Sequence, residues 1–335
     1  MGALFISTGC RTQQVASETS PSAVALTPAP TPVQEDIMLE AATAQPTMTP
    51  VPTPTPTPVP TPVPTPTPTP FVICHISDTQ YYSYTKTAAF TAITQYLVDS
   101  AEEMNIILTV HTGDIVDNLE YERHWLNSTS AIEILDGELP FYCVAGNHDV
   151  GTSAVNYSYY TFYDFNDMKD SDKKYEDGVC WYETFNAGGT DFLLLGIGWQ
   201  VNNDFLPWCQ AVLEAHPDHV AIILVHSFIH NADTLSSFGE ILEENLVQPY
   251  ANVRLILCGH NDGSVNMQLE YEDHTVNALM YNFQDDKEEG LGYMRLLTFD
   301  PLARTISVTT YSPYLDKEDY YADESRNAFI LLDAF

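Results

Sequence analysis

The sequence predicts an α/β fold organised around a largely parallel sheet, and three observations predict it. Five short runs, 71–76, 106–110, 141–145, 220–225 and 253–258, are almost continuously apolar, as strands buried on both faces must be. Between the first three lie segments with apolar residues at helical spacing, so strand and helix alternate, which is the signature of crossover connections in a parallel sheet. Each of the five runs is followed at once by side chains able to ligate a metal, and ligands in such sheets gather just beyond the carboxyl ends of the strands.

Taken in order, the chain opens with MGALFISTGC over residues 1–10, a short apolar run ending in Thr-Gly-Cys. It resembles the end of a bacterial lipoprotein signal, with Cys10 as the lipid-bearing residue, although Ser7 stands where Leu is usual and no basic start precedes it. Residues 11–70 are Ala, Thr, Ser and Pro with few aromatics, a composition too polar to offset the entropy of ordering. From Pro50 to Pro70 proline occupies every second position. Alternating proline favours the extended polyproline helix at ~3.1 Å per residue, so 46–70 is expected to be a stiff spacer of roughly 80 Å. The folded part is expected to span 71–335, enough for one substantial core.

Within it, 87–103 carries Ala88, Ala89, Ala92, Ile93, Tyr96, Leu97 and Ala101 at helical spacing, and 121–135 repeats the pattern with Trp125, Leu126, Ile132 and Leu135. Residues 151–177 read as an irregular insertion rich in Tyr, Phe, Asp and Lys. A hairpin is expected over 179–186 and 191–197 around Ala187-Gly188-Gly189-Thr190. Helices are expected over 206–215 and 234–247. After His260 the pattern shortens to strands at 264–271, 275–283, 290–299 and 305–311, which predicts a finish in antiparallel strands.

Charge narrows the function. The 335 residues carry 12 Lys plus Arg against 46 Asp plus Glu, a formal net charge of −34. Nucleic-acid backbones and anionic membrane surfaces need clustered cations, so neither is an expected partner, and membrane contact would come only through a lipid on Cys10. A small phosphate ester would need bound metal to supply the local positive charge. Of six cysteines, Cys74, Cys143 and Cys258 lie in apolar runs as small hydrophobes, while Cys180 and Cys209 could pair.

The strand ends carry the chemistry. Asp78-Thr79-Gln80 follows the first run, Gly113-Asp114-Ile115-Val116-Asp117-Asn118 the second and Gly146-Asn147-His148-Asp149 the third; His226 and Gly259-His260-Asn261-Asp262 follow the last two. Gly113 lets the backbone turn sharply before Asp114. Asp78 with Gln80, and His260 with Asp262, are two apart, so on extended backbone each pair faces one side. In this order the motifs resemble the calcineurin-like metallophosphoesterase family over about residues 71–281.

That resemblance implies a four-layer α/β/β/α sandwich of two facing sheets and two divalent metals about 3.5–4 Å apart, whose bridging hydroxide attacks phosphorus. It places Asp78, Gln80 and Asp262 around one metal and Asn147, His226 and His260 around the other, with Asp114 bridging. His148 would face the substrate phosphoryl group and protonate the leaving oxygen, oriented by Asp117; Asn147 would also touch substrate. The family usually has His where Gln80 and Asp262 stand. The first site would then offer only oxygen, which suits Mn²⁺, Mg²⁺ or Fe³⁺, while the histidines of the second suit Zn²⁺, Fe²⁺ or Mn²⁺. Tyr81, Tyr82 and Tyr84 follow the first ligand loop and could wall the pocket, and Tyr157, Tyr159, Tyr160 and Tyr163 could cap it; packing explains each equally well. His75 and His111 are candidates for hydrogen bonds behind the ligands, His230 for the cleft, and His124, His216, His219 and His274 for the surface.

The expected activity is hydrolysis of phosphate mono- or diesters by an exported, envelope-anchored protein. Two alternatives stay open: a phosphodiesterase restricted to nucleotides or lipid head groups, and a surface binding module that kept the fold without turnover.

Overall fold

Strand β1 (Phe71–Ile76) is buried at every position, as its aromatic and β-branched residues require inside a sheet. In this computed structural model the described residues are 68–154, 156, 157, 160, 173–199, 202–232, 234–284, 291–318 and 320–335. Cys10, the Thr-Pro repeat up to residue 67, Tyr159 and Tyr163 lie outside them.

Helix α1 (Thr87–Met104) buries Ala89, Phe90, Ile93 and Leu97 and stops at Asn105, whose left-handed backbone (φ 54°) sends its N–H back to the Ala101 and Glu102 carbonyls. The chain returns as β2 (Ile106–His111), parallel to β1. Helix α2 (Glu122–Ile132), extended by a tighter turn to Leu135, leads to β3 (Phe141–Cys143), parallel to β2. A single-turn helix α3 (Asn147–Val150) follows. Beyond β4 (Lys174–Tyr175), β5 (Cys180–Ala187) and β6 (Thr190–Ile197) form the expected hairpin. Pairing runs on to Ala187 and Thr190, so the turn shrinks to Gly188-Gly189, both at positive φ (58° and 82°) as a two-residue hairpin turn demands.

Next come α4 (Leu206–Ala215), β7 (Val220–Val225), a ribbon of β8 (Ile229–Asn231) with β9 (Thr234–Leu235), α5 (Ser237–Leu242) and β10 (Val253–Cys258). The helix expected over 234–247 starts later, because the Ser236 hydroxyl accepts the Gly239 N–H at 2.9 Å and caps it there, and it widens into a π turn over Glu243–Val247. The remaining strands are β11 (Gly263–Glu270), β12 (Thr275–Asn282), β13 (Met294–Asp300), β14 (Thr305–Ser312), β15 (Lys317–Glu318) and β16 (Phe329–Leu331).

These strands make two mixed seven-stranded sheets, in the orders β15-β14-β13-β1-β2-β3, with β16 on β14, and β11-β12-β10-β7-β6-β5-β4. The expected antiparallel finish holds for β11–β12 and β13–β14, but β12 runs parallel to β10. The chain passes β10 to lay β11 at the edge and then folds back into the gap, which reverses its direction once more. One core cluster joins α1 and α2 to the first sheet, and a second joins α4 and α5 to the other. The third is built from both sheets, Phe71, Ile73 and Leu297 meeting Phe192, Leu194 and Leu224.

The pairing left open for Cys180 and Cys209 is not made as a disulfide: both are buried thiols in hydrogen-bond contact. The expectation that fails concerns two histidines. His124 and His274 are buried, His274 spending both ring nitrogens on Asp273 and the Val247 carbonyl.

Candidate metal centre

The ends of β1, β2 and β3 from one sheet meet the ends of β7 and β10 from the other. There the ligating atoms of Asp114, His226 and His260 lie within 4.8 Å of one another. His226 Nε2 is 3.2 Å from Asp114 Oδ2, 3.1 Å from His260 Nδ1 and 3.2 Å from Asn147 Oδ1. His226 and Asp114 are shut away from solvent, as are Asp78 and Gln80 beside them.

Local backbone brings these atoms together. Asp78, Asp114 and His260 all adopt left-handed φ (53°, 56° and 70°), a region that Asp and His enter more readily than most residues but still at a cost. Each turns its side chain back over the strand end it has just left. Gly146 must be glycine: an added Cβ would meet the Asp114 carboxylate, with Asp114 Cγ at 2.8 Å. Gly259 is held likewise by contact with Ser77 and Asp78. The Asp149 carboxylate accepts N–H groups from Ile115 (2.8 Å), Val116 (3.0 Å) and Gly146 (2.8 Å), tying the second ligand loop to the third. The His148 N–H then donates to Asp114 Oδ1 at 2.9 Å.

The donor set fits a metal ion. His226 donates its Nδ1–H to the Thr112 carbonyl at 2.8 Å, which orients the ring so that Nε2 faces the cluster. Oxygens of Asp114 and Asn147 and a nitrogen of His260 surround that atom, which a metal ion would engage once its proton is lost. Burial opposes charge on both His226 and Asp114, yet each stabilises the other's ion, so the histidine is driven up and the carboxyl down. His260 is pushed down to about 4, by burial first and then by His226.

Behind Asp78 runs a buried relay. His75 Nε2 donates to Thr112 Oγ1 (3.0 Å), the Thr112 hydroxyl to Ser77 Oγ (2.6 Å), and the Ser77 hydroxyl to Asp78 Oδ2 (2.5 Å). The second buried histidine, His111, bonds Thr79 Oγ1 and accepts the Gly113 N–H at 3.1 Å.

Comparison with known proteins fits this geometry. The calcineurin-like phosphoesterase family profile matches residues 71–261, more than half of the chain. The chain belongs to that family. An uncharacterized Bacillus subtilis protein, YvnB, is 32% identical over 260 residues, which is 73% of this chain and 20% of that protein. The chain therefore spans one fifth of the length of this relative. Among solved structures, the purple acid phosphatase PPD1 of yellow lupin superposes with a TM-score of 0.54 at 12% identity, over 79% of this chain and 54% of its own. GAP50, described as the anchor in the inner membrane complex of Plasmodium, gives 0.51 at 15% identity over 78% and 89%. At such identities the two structures share the fold.

In this member of the family the remaining predicted residues are placed unevenly. Gln80 is buried against Asp114, 3.4 Å from Oδ2 through its nearer amide atom. With the amide nitrogen turned to the Asp78 and Asp114 carbonyls (3.1 and 3.2 Å), its oxygen faces that carboxylate, the orientation for ligation between them. Asp262 is exposed and outside the three-residue cluster. His148 is half-buried; its Nδ1 donates to the Asp117 backbone carbonyl at 2.7 Å, while the Asp117 carboxylate stands 3.9 Å away. The orienting contact expected of the Asp117 side chain is thus made mainly by its backbone. Tyr82 does not line a pocket: it is buried in the core with its hydroxyl accepting the Gly292 N–H, because the turn at Gln80–Ser83 points it inward. Tyr81 stays half-buried against Tyr84. Tyr157 and Tyr160 are also packed beneath the site, bonding the carbonyls of Trp199 and Cys143.

Three contributors escaped the sequence. Trp199 lies edge-on to His226 and tilted over His260, with ring centroids 5.9 and 5.3 Å apart. Gln284 packs its amide on that of Gln80. Asn282 donates to the His260 carbonyl at 3.2 Å. Trp199 follows the apolar run of β6 and so carried a positional signal; the other two carried none.

Proposed function

We propose that this chain hydrolyses phosphate mono- or diesters at the centre just described, with divalent metal bound. The observation that carries the reading is the buried His226 Nε2, with ligand-type atoms of Asp114, Asn147 and His260 gathered 3.1–3.2 Å from it. Divalent metal in such a site supplies a nucleophilic water near neutral pH and offsets the charge on phosphoryl oxygens. Asp114, His226, His260 and Asn147 would hold one ion, and Asp78 and Gln80, with Asp114, would hold a second from oxygen alone. Manganese, iron or zinc suits the first set and manganese or magnesium the second.

His148 does the proton work. Burial weighs against its charge, but Asp114 and the Asp117 carbonyl outweigh it and raise its pKa, which favours the imidazolium. With Nδ1–H committed to Asp117, Nε2–H is the proton free to pass to a leaving oxygen. Trp199, flanking both ligand histidines, offers an apolar face to the ester group.

The signal-like start ending in Cys10 and the Thr-Pro spacer support export and tethering outside the cytoplasm, the metal rather than the acidic surface attracting a small anionic substrate. Chelator-stripped full-length protein reloaded with Mn²⁺, Zn²⁺, Fe²⁺ or Mg²⁺ tests the activity on p-nitrophenyl and bis-p-nitrophenyl phosphate. Turnover restored by metal and lost in Asn147→Ala and His148→Ala is expected. Metal binding without turnover on either ester would overturn it in favour of a binding module.

A further inference from the structure

We infer that Arg326 is a specificity residue that receives a second phosphate group of the substrate, beyond the one at the metal centre. The inference rests on the phosphoesterase reading and names the substrate class it takes.

The chain carries 12 basic against 46 acidic residues, so acids outnumber cations almost four to one. Arg326 makes no ion pair among the described residues. Asp323, one turn earlier, commits one carboxylate oxygen, Oδ1, to the Ser325 N–H (3.1 Å) and hydroxyl (2.6 Å) and meets Arg326 only as a longer-range charge. The guanidinium instead lies over the Tyr321 ring, 3.6 Å from its centroid, a contact that holds it in place while leaving its N–H groups to be satisfied elsewhere.

Its position points to the site. A methyl group on Gly263 would lie 3.5 Å from Arg326 Nη2 and 3.9 Å from the Tyr321 hydroxyl. Gly263 follows the His260 loop and pairs with Asn282, whose side chain bonds the His260 carbonyl. Two residues beyond Asn282, Gln284 touches Gln80. The guanidinium therefore rests on the rung of β11 and β12 that borders the metal loops.

The surrounding loop is built to hold it. Fully buried Arg295 donates Nη2–H to the Arg326 carbonyl at 2.8 Å, Ser264 donates to the same carbonyl at 3.2 Å, and Asn327 clamps both backbone groups of Tyr321. Such preorganisation reduces the entropy lost when an anion binds. Arg326 also lies outside the family-matched span, where selectivity rather than the shared chemistry resides.

The test is isothermal titration of metal-loaded, full-length protein at low temperature with glucose 6-phosphate and glucose 1,6-bisphosphate, any turnover being followed as released phosphate. Wild type should bind the bisphosphate at least tenfold more tightly. Arg326→Gln should reduce that ratio fivefold or more with the melting temperature retained, and Arg326→Lys should fall between. A ratio unchanged in Arg326→Gln, an equal loss for both sugars, or no preference in wild type would overturn the inference. Hydrolysis of p-nitrophenyl phosphate by wild type reports separately on the phosphoesterase reading, which survives any of those results.

Discussion

Removing the Ser77 hydroxyl should weaken metal binding without touching a ligand. Ser77→Ala deletes the 2.5 Å hydrogen bond to Asp78 Oδ2 and strands the Thr112 hydroxyl that donates into Ser77 at 2.6 Å. A hydrogen bond to a charged group contributes about 1.5–3 kcal/mol, and each 1.4 kcal/mol is a factor of ten, so affinity at the Asp78 site should fall about 10- to 100-fold. The lower half of that range is expected, because Asp78 keeps the His260 N–H at 3.1–3.2 Å. Thr112→Val breaks the relay one link earlier, leaving His75 Nε2 without a partner but the Ser77–Asp78 bond intact. It should lose stability comparably, through a buried unsatisfied donor costing about 1–3 kcal/mol, yet weaken metal less than about threefold. Chelator competition with Mn²⁺ measures the affinity, and thermal melts of the metal-free proteins measure the stability. Unchanged affinity in Ser77→Ala, or equal losses in both variants, would refute the idea that the relay orients Asp78.

Other outcomes follow from the same geometry. Gly146→Ala drives a methyl group into Asp114, 2.8 Å from its Cγ, so the carboxylate must shift; kcat/KM should drop roughly 100-fold while circular dichroism keeps the native spectrum. If kcat depends on protonated His148, it holds at low pH and falls as pH rises through the raised pKa. In Asp117→Asn that alkaline limb should move to lower pH, and only slightly, since the 2.7 Å carbonyl contact survives. Chelation should lower the melting temperature, because metal at a hundred times its Kd stabilises the folded state by about 2.7 kcal/mol; an unchanged melt would mean the cluster holds none.

What the sequence made legible was periodicity joined to position. Five continuous apolar runs, each closed by a ligand-type residue, located the strand ends and with them Asp78, Asp114, Asn147, His226 and His260. Direction was harder to read. Tyr82 is adjacent to a ligand loop in sequence yet turned into the core, and β12, expected as one of a set of antiparallel strands, is buried from Val276 to Asn282 and runs parallel to β10. Contacts between distant segments left no local trace: Gln80 with Gln284, Thr112 with His75, Arg326 with the loop before β11. The exposure of Asp262 belongs here too, since a spacing of two aligns side chains only on extended backbone, and His260 is left-handed.

That last point explains where the site had to form. Left-handed backbone at a non-glycine residue costs on the order of 1–3 kcal/mol, and Asp78, Asp114 and His260 each bear it at a strand end. Relaxing any one of them would swing its side chain away from the other two. The strain persists because rigid neighbours leave no alternative: β1, β2 and β10 are buried nearly throughout, and Gly113, Gly146 and Gly259 lie too close to the ligands for the loops to move independently. A centre assembled this way is already shaped before metal arrives, so binding should cost little reorganisation, and the price is borne by the two sheets rather than by the ion.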